Sequence, residues 1–227
     1  MLSALDTCPD AVSDSLPPDL SLRPDAAVSW APAPFCPDSW TVLRMSRYRR
    51  REEVVPPIWE AARAMTALAA DLAEPRALLR LVRVAPLGAD RVRLAGGPIF
   101  TGRAPAALLA GCPTAVTFVL TLGPRLEAES GALAARQELL EAFLLETAGW
   151  ATIEAAVRAL RQDLRARGGR VTHRLGPGHR DWPVGEQRAL VDLLAPPADL
   201  VRLSDDGLLV PFKSVSGVFG LGPTADG

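Results

Sequence analysis

Ala115-Val116-Thr117-Phe118-Val119-Leu120-Thr121-Leu122 is the stretch around which the rest of this chain has to be arranged. It carries no charge, it has the length of a strand, and Val and Phe favour a pleated backbone. An apolar run without polar alternation predicts a buried strand. Working downstream, the longest helix is expected from about Arg136 to Arg165. Leu140, Leu144, Ala148 and Ala151 lie on one of its faces, Ile153, Val157, Leu160 and Leu164 continue it, and Gly168-Gly169 closes it. Working upstream, Ala106 to Ala110 reads as a short helix stopped by Gly111. Leu79 to Val84 and Arg91 to Leu94 read as a hairpin around Pro86 and Gly88. A further helix starts at Pro56-Pro57, repeats apolar residues at Ile58, Ala62, Met65, Leu68 and Leu72, and ends by Glu74-Pro75.

The C-terminal third adds a helix opened by Trp182-Pro183, with Leu190, Leu193 and Leu194 on its buried face. Val201 to Leu203 and Leu208 to Val210 flank Ser204-Asp205-Asp206-Gly207, a hairpin signal, and Val215 to Phe219 reads as a final strand. Helices and strands are mixed without regular alternation. The expected class is α+β, with a mixed or antiparallel sheet flanked by helices. Residues 1–38 stand apart. Pro9, Pro17, Pro18, Pro24, Pro32, Pro34 and Pro37 among Asp and Ser predict an extended or disordered arm, which Trp30, Phe35 and Trp40 could pin to a domain spanning 39–227.

The chain has 227 residues, 48% of them hydrophobic and 22% charged, with a net charge of −1. This is the composition of a globular protein without a field that would draw it to nucleic acid or anionic membrane. The cluster Arg47, Arg49, Arg50 and Arg51 reads either as a solvated helix entry or as a surface for an acidic partner. Cys8, Cys36 and Cys112 are far apart and odd in number. They fit neither a disulfide framework nor a metal or iron–sulfur site, and they suit a reducing cytoplasm. No signal peptide and no membrane-spanning run is read.

Chemistry is suggested at two segments, Arg174-Leu175-Gly176-Pro177-Gly178-His179-Arg180-Asp181-Trp182-Pro183 and Pro211-Phe212-Lys213-Ser214-Val215-Ser216-Gly217. Gly176-Pro177-Gly178 makes a turn whose backbone groups have little side-chain cover, so a flat ring such as adenine could approach it. The Arg174 guanidinium matches a carboxylate with two parallel hydrogen bonds. Equally, the turn is a tight connection and Arg174 pairs with a surface acid. Ser214 and Ser216 point to one face of a rim strand, toward a ligand or toward water. Glu186 suits the positive end of a helix dipole.

These segments resemble the reactivation domain of cobalamin-dependent methionine synthase, and most closely its stand-alone members. The resemblance is carried by Arg174, Pro177, Gly178, Asp181, Trp182, Pro183, Glu186 and Gln187, and by Pro211, Lys213, Ser214, Val215 and Ser216. Thr121-Leu122-Gly123 with Leu126-Glu127, and Ala148-Gly149 with Ile153-Glu154-Ala155-Ala156, extend it over residues 40–222. Two positions depart: His179 stands where the family has Tyr, and Gly168 where the full-length synthases carry Glu.

The resemblance implies that S-adenosylmethionine is bound by Arg174, Gly176, Pro177, Gly178, His179, Lys213, Ser214 and Ser216. It implies an in-line methyl transfer to cob(I)alamin that needs no general base or covalent nucleophile, so no catalytic residue is assigned. No corrinoid-binding Asp-x-His-x-x-Gly surrounds His173 or His179. Cobalamin would therefore come on a partner, either a shortened methionine synthase or another corrinoid-dependent methyltransferase, with electrons from a flavodoxin-like or ferredoxin-like reductant. The alternative is an accessory docking module for a corrinoid protein that has lost the cofactor. A metabolite-binding protein with a coincidental Gly-Pro-Gly turn is the third reading.

Overall fold

The computed structural model describes residues 26–32, 35–94, 97–167 and 169–222. Strands β1 (Ala27–Trp30), β2 (Arg76–Pro86), β3 (Arg91–Leu94), β4 (Ile99–Thr101), β5 (Thr114–Thr121), β6 (Arg170–Val171) and β9 (Ser214–Gly222) form one sheet. Its order is β4-β3-β2-β5-β9-β6, with β1 on the same edge of β2 that β3 occupies further along. Every pairing is antiparallel. Strands β7 (Arg202–Leu203) and β8 (Leu209–Val210) form the separate hairpin expected around Ser204–Gly207. The α+β class with an antiparallel sheet is what the chain adopts.

The central apolar run lies between β2 and β9 and is covered from both sides. Leu79, Val116, Phe118, Leu120 and Phe219 belong to one core, built with α1 (Ser39–Met45), α2 (Pro56–Leu72), α4 (Arg125–Ala135) and α5 (Leu139–Ala166). Phe118 and Phe219 stack there with centroids 5.0 Å apart. Leu78, Val82, Ala115, Val119 and Val218 face the other way, toward α3 (Arg103–Leu109), α6 (Gln187–Leu194) and the β7–β8 hairpin. Burying each large apolar side chain of β5 contributes about 1.5–3 kcal/mol, so this strand anchors both layers.

Several element ends follow directly from the sequence. Pro56 begins α2, and Asp38 caps α1 by accepting from the Thr41 N–H at 3.0 Å. Three details differ from expectation. Ala27–Trp30 lies in the sheet as β1, and Trp30 is buried, with its Nε1–H donating to Asp163 at 2.8 Å. The helix expected from about Arg136 starts at Leu139, because Gln137 adopts a positive φ of 65° that separates it from a further helix, α4, ending at Ala135. Leu140, expected on the buried face, is exposed, since α5 reaches the core only from Ala142 onward. Residues 1–25 of the arm and Gly168 lie outside the described residues. Among the described residues no helix is long and apolar enough to cross a membrane.

Candidate functional site

One cleft of about 360 Å³ opens where α5, the 174–179 loop and the free edge of β9 meet. Helix α5 presents Glu146, Trp150 and Glu154 to this side, at a spacing of four residues that stacks them along one helix face. Each acid pairs with a cation from another segment, Glu154 on the cleft wall and Glu146 behind it. Arg174 Nη2 donates to Glu154 Oε1 at 2.9 Å, and the Lys213 ammonium pairs with Glu146. The walls include Trp150, Phe212, Gln187 and Pro177, with Ser214 and Ser216 below.

The loop owes its position to the Asp-Trp-Pro segment that follows it. Asp181 accepts from the N–H groups of Arg103 at 2.7 Å and Ala104 at 2.9 Å, and so caps α3 from a distant part of the chain. Those two backbone donors hold its carboxyl below the usual range. Trp182 is buried edge-on against Phe100 at 5.3 Å, and its Nε1–H donates to Glu186 at 2.8 Å. Glu186 also accepts from the Thr101 N–H at 3.1 Å and the Thr101 hydroxyl at 2.5 Å. Glu186 therefore ties the loop to β4 and does more than sit on a helix dipole.

The glycines of the loop have backbone reasons. A Cβ on Gly176 would lie 2.6 Å from the Ser216 carbonyl oxygen, and one on Gly217 would lie 2.6 Å from that of Leu175. The loop and β9 thus approach to a distance only glycine permits, joined by the Leu175–Val218 bridge. Gly178 has a positive φ of 86°. Its N–H donates to the Trp182 carbonyl, and the His179 N–H donates to that of Gly176. Two backbone donors that the sequence left open for a ligand are used within the turn itself.

Of the eight residues carried over from the resemblance, Arg174, Pro177, His179, Ser214 and Ser216 line the cleft. Gly176 and Gly178 shape the loop without lining it. Lys213 is only 1% exposed and lies behind the wall, with its ammonium over the rings of Trp150 and Phe212. The Ser214 hydroxyl has internal partners, Thr121 Oγ1 at 2.8 Å and the Pro211 carbonyl at 2.6 Å. Ser216 approaches Gln187 Oε1 at 3.5 Å, and Gln187 Nε2 donates to the Gly207 carbonyl.

Trp150 and Phe212 were not singled out from the sequence. The signal was the four-residue spacing of Glu146, Trp150 and Glu154 along α5. Arg174 is the one group here left incomplete: Nη1 is buried and has no hydrogen-bond partner among the described residues. A buried guanidinium N–H without an acceptor is costly.

An antiparallel α+β fold with a polar and aromatic cleft at its open strand edge is the class these features define. Among solved structures, the chain is similar to the crystal structure of the MetH reactivation domain bound to AdoHcy. The TM-score is 0.65 at 13% sequence identity, over 89% of this chain and 80% of that one. No family model and no curated protein matches the chain. The likeness establishes a shared fold.

Proposed function

We propose that the cleft binds S-adenosylmethionine and that the chain is a reactivation subunit, serving a corrinoid-dependent methyltransferase or a shortened methionine synthase in trans. The observation that carries this reading is the buried, unpartnered Nη1 of Arg174 on the cleft wall. An α-carboxylate is the acceptor that a guanidinium fits best. Glu154, held by Arg174 through one oxygen, stands beside it as the acid for a neighbouring positive charge. The fold shared with a domain bound to AdoHcy supports the same ligand class.

The methylsulfonium supplies an activated methyl group and a neutral leaving group. The residues of this chain bind and orient it, as no proton has to move for the transfer. Cobalamin then comes on the partner, and the electron on a flavodoxin-like or ferredoxin-like reductant in the same cytoplasmic compartment. One observation favours the second reading, a docking module without cofactor: Lys213 and Ser214 are both satisfied within the fold.

Calorimetric titration with S-adenosylmethionine separates the two. Saturable binding by the wild type that weakens in Arg174→Ala supports the reactivation role. Absence of binding at millimolar ligand rejects it in favour of docking alone.

A further inference from the structure

Trp150 and Phe212 form a corner of the cleft, with ring centroids 5.8 Å apart and planes at 80°. Lys213 lies behind that corner. Its Nζ is 4.7 Å from the Trp150 centroid and 5.1 Å from that of Phe212, and its charge is balanced by Glu146. The lysine stem runs over Gly149, where a Cβ would come within 2.9 Å of Cε. A buried ammonium is costly to place and is held here by one acid and two rings together. Residues 146, 149, 150, 212 and 213 thus form one unit, and only the two rings reach the cleft.

A cation beside an aromatic ring is attracted by the negative π-face, and a ring already so engaged has less to offer a second cation. We infer that the Trp150–Phe212 corner receives the neutral, flat base of a nucleoside ligand, and that Lys213 is the positioning residue that fixes the corner. The cationic part of the ligand then lies one helical turn away, about 6 Å along α5, beside Glu154. This deepens the reading of the cleft given above and rests on it. It gives the cleft a direction, with the base at Trp150 and Phe212 and the amino-acid end at Arg174 and Glu154. The same geometry makes the corner indifferent to whether sulfur carries its methyl group.

The test is calorimetric titration of the full chain with S-adenosylmethionine and, separately, with S-adenosylhomocysteine. Wild type is compared with Trp150→Leu, Lys213→Met and Lys213→Arg, and thermal melts report folding. Loss of base stacking on Trp150 should weaken both ligands by about tenfold and leave their affinity ratio unchanged. Lys213→Met should do the same, and Lys213→Arg should restore most of the loss, which general destabilisation would not do. If Lys213→Met does not fold, Trp150→Leu decides alone, since Trp150 is only half-buried. Unchanged affinities in Trp150→Leu, or a loss confined to the sulfonium ligand, overturn the assignment while leaving the cleft's ligand class intact. Failure of the wild type to bind either ligand overturns both.

Discussion

Arg174 and Glu154 meet at 2.9 Å through Nη2 alone, and the buried Nη1 has no partner among the described residues. The pair is therefore half of a bidentate arrangement. Glu154 holds one side of the guanidinium, and on the reading proposed above an incoming carboxylate would take the other. Arg174→Ala should weaken S-adenosylmethionine by about 1.5–3 kcal/mol, the range for a hydrogen bond to a charged group. The Glu154 side chain is 47% exposed, so loss of the ion pair itself should lower folding stability by less than about 1 kcal/mol, with the packing of the largely buried Arg174 stem lost in addition. Calorimetry and urea denaturation together check the two halves of this expectation.

Glu186 makes a different kind of contribution. Its carboxylate is the common acceptor for the indole N–H of Trp182 and both donors of Thr101. Glu186→Ala leaves the Trp182 N–H stranded in a side chain that is only 2% exposed. The expected cost is about 1–3 kcal/mol of stability. Trp182→Ala should cost more, about 3–5 kcal/mol, because it also empties the site packed against Phe100. Chemical denaturation of the two variants gives the ordering, and equal losses would contradict it.

The sheet was legible because its decisive strands carry their own evidence. Ala115–Leu122 carries no charge and only Thr117 and Thr121 among its apolar residues, and such a run fits a strand covered on both faces. The 79–84 and 91–94 segments alternate around turn residues, and Pro56-Pro57 announces α2. Ala27–Trp30 was not legible, because its neighbours are prolines and its partner, Ala77–Arg80, is some fifty residues away. Local composition cannot show that pairing.

The candidate site was legible in its loop and illegible in its depth. Arg174 and Pro177 stand in a motif, but the burial of Lys213 depends on Gly149 and Glu146 from another element. Similarly, Thr121-Leu122-Gly123 and Lys213-Ser214 appear as two separate motifs in the sequence. In the fold they are one structure, in which the Leu122 N–H and the Thr121 hydroxyl both donate to the Lys213 carbonyl, at 2.9 and 3.5 Å, and the Ser214 hydroxyl donates to Thr121.

Asp181 ties stability to pH. Hydrogen bonds from the Ala104 and Arg103 backbone hold its folded-state carboxyl below the ordinary range. A depressed folded value means that the contribution is fully present above the unfolded carboxyl's titration. It is lost as pH falls through the folded value. Thermal midpoints of wild type and Asp181→Asn should differ at neutral pH and converge in acid, as the wild-type carboxylate takes up its proton. A difference that stays constant across the acid range would mean that Asp181 does not cap α3 through its charge.

Two glycines in this chain should respond to alanine with opposite signs. Gly131 lies inside α4, where nothing stands within 4 Å of the position its Cβ would take. Alanine there lowers the entropy of the unfolded chain and adds helix propensity, so Gly131→Ala should stabilise by about 0.5–1 kcal/mol. At Gly176 the added carbon would meet the Ser216 carbonyl oxygen at 2.6 Å, a backbone atom that cannot swing aside. Gly176→Ala should therefore destabilise by about 1–3 kcal/mol, by forcing the loop off β9. Because Arg174, Pro177 and His179 ride on that loop, the same variant should also weaken ligand binding, whereas Gly131→Ala should leave it unchanged. Paired denaturation and titration of the two variants measure both effects. A Gly176→Ala protein with wild-type affinity would show that the close approach of loop and strand does not set the geometry of the cleft.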